Sequence, residues 1–242
     1  MSQRTALSVL FPAVVALLLL GAAAPLPVTA AINVAPLRVE FPAGQQARDL
    51  QLRNDGKTLL GVQIRVFAWN QGLGGDSYQL SRDFVVSPSI VEIEPGQTQT
   101  LHLIATVPAL AAHEAAYRVV IDQLPGGVTA VQGAAQTRLR ITLPLFAGGQ
   151  GTPQGRAAPL IAKDRLLIGN PGGRAIKLQN VTLVQGGANH GFDGVNVPSY
   201  ILGGAHLSFP LPTGISCTGG PVRMTYEIDR IRYDAAVPQN CT

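Results

Sequence analysis

The chain has 242 residues, 46% of them apolar and 13% charged, and its formal net charge is +4. That length fits one large domain or two of about 100 residues each. No run of five or more Lys or Arg occurs, so the mild basicity marks no nucleic-acid surface; single arginines scattered over strands are more often solvated.

In chain order, residues 1–30 read as a secretory signal. Arg4 supplies the positive start, Ala6 to Ala24 is uncharged and rich in Leu, Val and Ala, and Val28-Thr29-Ala30 forms the cleavage box. The rival reading is an N-terminal membrane anchor. Pro12 and Pro25 break the apolar run, which is borderline for a span of about 20 residues. No later stretch is long and apolar enough to span a bilayer, so the mature chain is expected to be soluble, with no stable membrane insertion.

From residue 31 helical periodicity is almost absent. Short alternating runs recur instead, bounded by Gly, Pro, Asn and Asp. Seven precede residue 147: Ile32–Phe41, Ala47–Asn54, Leu60–Trp69, Ser87–Ile93, Gln97–Ala105, Tyr117–Leu124 and Ala135–Phe146. The alternation is clearest where Ile64 and Val66 share one face and Arg65, Phe67 and Trp69 the other. It recurs where Leu101 and Leu103 alternate with Thr100 and His102. Seven strands in about 115 residues predict an immunoglobulin-like sandwich, without the Cys…Trp…Cys pattern of antibody domains.

Residues 147–159 are dominated by Gly and Pro and read as a linker in which little can pack. A second β-rich unit follows over 160–242, with candidate strands Leu160–Ile168, Ala175–Val184, Val195–Leu202, Ala205–Leu211, Val222–Ile228 and Ile231–Val237. Leu52-Arg53-Asn54-Asp55-Gly56 is faintly echoed by Ile168-Gly169-Asn170-Pro171-Gly172, both reading as turns after early strands. The two cysteines, Cys217 and Cys241, lie in the last 26 residues. In an oxidising compartment they are expected to pair and tie the C-terminal tail to an earlier strand, offsetting a small core.

Four segments, in order, resemble the periplasmic chaperones of the chaperone–usher pilus pathway, a PapD-like superfamily. They are Leu50–Lys57 continuing into Val62–Gln71, Ser87–Gln97, Tyr117–Pro125, and Arg138–Phe146. The first and fourth look most like the archaic branch. The second unit matches loosely, as at Tyr200–Ala205.

The resemblance implies an all-β fold of two immunoglobulin-like sandwiches in an L-shaped arrangement. It implies a non-enzymatic periplasmic role: capping pilus subunits, which are incomplete immunoglobulin-like folds, by donor-strand complementation, and delivering them to an outer-membrane usher. No cofactor, metal or nucleotide is implied. The lending strand would be Val131 to Phe146. Its groove-facing positions would be Val131 and Ala135, or Val128 in a shifted register; the family usually offers larger hydrophobes there. A subunit's C-terminal carboxylate would be anchored by Arg118 first, then Arg140, then Arg38. An arginine fork grips a carboxylate with two charge-assisted hydrogen bonds.

No other chemistry stands out. The histidines His102, His113, His190 and His206 lack zinc-ligand spacing. No nucleophile elbow or phosphate-cradling Gly-rich motif occurs. Glu92 and Glu94 share a strand face, usually a solvated edge, and Asn180-Val181-Thr182 is a glycosylation sequon. The alternative from another class is a secreted structural or adhesive pilus component. Such a subunit lacks its final strand, whereas this first domain ends in a full one.

Overall fold

A computed structural model describes residues 32–72, 74–109, 112–125, 138–192 and 200–242. The expected signal, and the early lending strand with Val128, Val131 and Ala135, lie outside these residues. All regular structure among the described residues is β-strand, and no described helix is long and apolar enough to cross a membrane.

The first domain contains β1 (Ile32–Ala35), β2 (Val39–Phe41), β3 (Ala47–Asn54), β4 (Leu60–Gly72), β5 (Gly75–Leu80), β6 (Phe84–Ser87), β7 (Ile90–Ile93), β8 (Thr98–Ala105), β9 (Glu114–Gln123) and β10 (Arg140–Gly148). One sheet runs β1-β3-β8-β6, the other β2-β10-β9-β4-β5, with β7 on β4. Their inner faces meet over Phe41, Leu50, Leu52, Val62, Leu101, Leu103, Ile121 and Leu145, all fully buried. The period-2 alternation of side chains makes this packing.

Two of the expected strands are each split in two. Ile32–Phe41 becomes β1 in one sheet and β2 in the other, and the break begins at Pro36. Ser87–Ile93 likewise divides at Pro88 between β6 and β7, again in different sheets. Proline has no N–H to continue a ladder, so both sheet changes fall where pairing must stop. β5 escaped prediction because Ser77 to Leu80 are exposed on both faces, leaving no alternation to read.

The second domain contains β11 (Ala158–Ala162), β12 (Arg165–Gly169), β13 (Ile176–Gln185), β14 (Ala188–His190), β15 (Tyr200–Ile201), β16 (His206–Pro210), β17 (Val222–Ile228), β18 (Ile231–Val237) and β19 (Gln239–Asn240). Its sheets are β16-β12-β11-β19 and β14-β13-β17-β18, with β15 on β13. Leu160–Ile168, expected as one strand, is the hairpin β11–β12. Its turn lacks Gly or Pro because Lys163 itself takes the left-handed conformation, φ 54°. Cys217 and Cys241 are bonded. The bridge ties the tail to the loop after β16 rather than to a strand, while β19 pairs β11 in parallel.

The expected linker packs more than its composition implied. β10 continues through Gly148. At Gly149 (φ +80°) a Cβ would stand 2.6 Å from that of Glu114, and at Gly155 one would stand 2.3 Å from the Arg174 carbonyl. These glycines permit backbone approaches no side chain would allow.

The faint echo between the domains is a repeated structural device. Asn54, 1% exposed, donates to the Thr58 and Ile93 carbonyls and accepts from the Gly56 amide. Asn170, 0% exposed, donates to the Arg174 and Ile201 carbonyls and accepts from the Gly172 amide. The main chain repeats too. Asn54 N–H binds Gln97 and its carbonyl takes Gly96; Asn170 N–H binds Ala205 and its carbonyl takes Gly204. Each buried amide thus fastens the turn after an early strand to the end of a strand of the other sheet.

Candidate functional site

The site grows from the edge of β10. Its residues pair β9 from Arg140↔Asp122 to Gly148↔Glu114. On its other side, among the described residues, β2 covers only Leu145 to Ala147. Gln123 N–H donates to the Leu139 carbonyl, so by strand alternation the odd residues address β9 and the even residues face outward. The amides and carbonyls of Arg140 and Thr142 therefore line an open edge. Pro144, next in that series, has no N–H, and β2 takes over immediately after it. The open edge ends there.

At that end the two domains meet over an aromatic cluster. Phe146 follows Pro144 on the outer face of β10, Trp69 comes from β4, and Tyr200 comes from β15. The ring centres are 6.2 Å apart for Trp69–Phe146, 6.0 Å for Trp69–Tyr200 and 5.6 Å for Phe146–Tyr200. Trp69 shares its strand face with the half-buried Arg65 and Phe67, yet it is 2% exposed because the second domain covers it. Arg118 of β9 lies 3.5 Å above the Trp69 ring centre and 5.8 Å from that of Tyr200. Arg38, just before β2, lies 4.6 Å from Phe146 and 5.9 Å from Tyr200. Both stack as cations on aromatic faces. The Arg118 Nε is buried and has no hydrogen-bond partner among the described residues, whereas Arg38 is offset by Glu40 at 2.7 Å.

Among the described residues, an unpaired sheet edge thus runs into an arginine-lined interdomain corner. The family described as pili and flagellar-assembly chaperones, through its PapD N-terminal domain, matches residues 31–152. The chain belongs to this family. No curated protein matches it in sequence. Among solved structures it resembles the CsuC–CsuE chaperone–tip adhesion subunit pre-assembly complex from archaic chaperone–usher Csu pili of Acinetobacter baumannii. That match has 22% identity and a TM-score of 0.63, covering 86% of this chain and 99% of that one. The complex of Salmonella enterica SafA pilin with the SafB chaperone matches at 16% identity and 0.63, covering 85% and 95%. The E. coli chaperone DraB matches at 20% and 0.61, covering 84% and 96%. These likenesses share the fold of two immunoglobulin-like sandwiches.

Within this chaperone-family chain the three expected anchor residues divide. Arg118 and Arg38 are brought together around Tyr200. Arg140 is not: it is 65% exposed and, with Arg65, bound to Asp122, at the far end of a hollow of about 460 Å³ that Arg118 also lines. Burial pushes the Asp122 carboxyl up, but hydrogen bonds from Arg140 and Arg65 outweigh it and hold the group below its ordinary value. Sequence reasoning missed the roles of Trp69, Phe146 and Tyr200. Their only signal was a large aromatic on the outward face of a strand, or in a loosely matching segment.

Two first-domain side chains clasp the corner. Gln71 donates to the Tyr200 carbonyl at 2.9 Å and accepts from the Leu202 amide at 2.8 Å. Glu114, its side chain 3% exposed, accepts from the Ala175 amide at 2.6 Å and faces Arg174 at 3.5 Å. Burial raises the Glu114 carboxyl, and the Ala175 amide and Arg174 only partly offset this. A carboxyl with a raised folded-state pKa contributes stability that is fully present below its unfolded value and lost as pH rises through the folded one. Wild type is therefore expected to lose Tm relative to Glu114→Gln as pH rises from about 4 upward, with the gap constant once Glu114 is ionised. Glu114→Ala, which removes both acceptors, is expected to melt lower than Glu114→Gln at every pH. Thermal melts of the three proteins against pH check both.

Proposed function

We propose that the chain is a periplasmic chaperone that captures pilus subunits by donor-strand complementation and hands them to an outer-membrane usher. The observation that carries this reading is the open edge of β10, ending at Pro144 beside the Arg118–Arg38 corner. A subunit missing its last strand exposes an apolar groove and unpaired edges, which aggregate. A guest strand laid along β10 gains main-chain hydrogen bonds from Arg140 and Thr142, while alternate side chains of the lending strand plug the groove. Val131 and Ala135, or Val128, are the proposed plugging residues. The guest's C-terminal carboxylate then falls at Arg118 and Arg38. Folding of the subunit on the lent strand drives capture, and no nucleotide is consumed. The relatives found as complexes with a pilin and with a tip adhesion subunit support this class of partner. Against a pilin role, β10 completes the first domain along the length of β9.

The test is periplasmic co-expression with a pilus subunit encoded beside the chain, read as a soluble one-to-one complex by pull-down and size exclusion. Thr142→Pro removes one outward amide without touching the β9 ladder, and is expected to weaken capture by roughly tenfold, the worth of a hydrogen bond and its unsatisfied partner. Failure of the wild type to retain any such subunit would sink the chaperone reading.

A further inference from the structure

The corner holds a third cation, and it comes from the other domain. Lys177 on β13 is the Cα partner of Tyr200 on β15, so the two side chains stand side by side on one sheet face. The Lys177 ammonium lies 6.0 Å from the Tyr200 ring centre, against 5.8 Å for Arg118 and 5.9 Å for Arg38. One ring is thus surrounded by three positive charges, two from the first domain and one from the second. Of the three, only Arg38 takes part in an ion pair among the described residues. Like charges gathered within reach of one ring repel, and an anion seated among them relieves that repulsion.

We infer that Lys177 completes the carboxylate-binding corner from the second domain, so that a guest's C-terminal carboxylate bridges the two domains. This rests on the chaperone reading and extends it. Arg118 offers the planar fork, and Lys177 offers a mobile point charge that takes a remaining lone pair. Two consequences follow. The second domain becomes part of guest recognition rather than a passive buttress. Guest binding also adds a charged tie across a corner otherwise held by Gln71, Glu114 and the aromatic cluster.

The decisive experiment is a cycle. The probe is a synthetic peptide copying the last strand of a pilus subunit encoded beside the chain, made with a free carboxylate and as the C-terminal amide. Affinities are measured for the wild type and for Lys177→Gln, with thermal melts showing that both proteins are equally folded. Wild type is expected to prefer the carboxylate form, and Lys177→Gln to lose about fivefold on that peptide while binding the amide unchanged, the scale of a partly exposed charge pair. Equal discrimination by the two proteins, or an equal loss on both peptides, overturns the role of Lys177 alone. A wild type indifferent to amidation overturns the carboxylate corner itself, and Lys177 with it.

Discussion

Arg118→Ala is expected to cost the chain most of its hold on a subunit. In the folded protein the guanidinium is pressed against Trp69 at 3.5 Å, and its Nε is buried without a hydrogen-bond partner among the described residues. A carboxylate arriving there meets a pre-oriented fork in a poorly solvated corner, where each charge-assisted bond is strong. Truncating one partner of such a pair costs about 2–5 kcal/mol, or roughly thirtyfold to several thousandfold in affinity. The soluble complex should therefore disappear from co-expression. Because the arginine stem also packs on Trp69, the alanine removes apolar contact as well. Arg118→Met retains most of that contact and should lose the complex just as fully. If the Arg118 variants hold the subunit as wild type does while Arg38→Ala releases it, the principal anchor is Arg38. The exposed, Asp122-bound Arg140 is expected to matter least, and Arg140→Ala should leave capture within about threefold, as exposed pairs do.

The second large effect concerns stability. Asn54→Ala leaves the Thr58 and Ile93 carbonyls and the Gly56 amide without their bonds inside the first domain. Asn170→Ala does the same to Arg174, Ile201 and Gly172 in the second. Each variant strips three polar groups of their partner, a buried carbonyl (Ile93 or Ile201) among them, and the loss is about 2–3 kcal/mol. For a domain of about 100 residues that lowers Tm by roughly 10–20 °C. Asp substitution, which keeps the acceptor but loses both donors and buries a charge, should be no milder. Melting curves and protease protection of each domain check this. Two alanine variants that melt within a few degrees of wild type would refute the claim that these amides hold the turns.

Much of the architecture was legible where burial is one-sided. Ala47–Asn54, Val222–Ile228 and Ile231–Val237 were bounded from alternation and turn residues, and the structure returns the same bounds. What failed has physical causes. β5 is wet on both faces, so nothing alternates. Lys163 turns the chain with no Gly or Pro, only Asp164, to announce it. Pro36 and Pro88 looked like tolerable positions within runs and are instead where the chain changes sheet. At the candidate site, Arg118 and Arg38 were reached only through the family resemblance. Their gathering around Tyr200 depends on residues more than eighty positions apart, and no local pattern encodes that. The same holds for Trp69, whose burial requires a second domain to lie against it.

The clasp at the corner has a consequence for how the two halves can vary. Gln71 and Glu114 reach across to the main chain at Tyr200, Leu202 and Ala175, and main-chain groups are common to every sequence. Apart from Arg174, which faces Glu114, and the Tyr200 ring, the first domain therefore grips a backbone course. A second domain taken from another chain should seat in the same socket if its backbone follows that course and it carries an aromatic residue at position 200. The pairing of halves is thus open to exchange: chimeras between distant members should assemble with the corner intact, while the lent strand and the arginines beside it travel as a separate cassette with the first half.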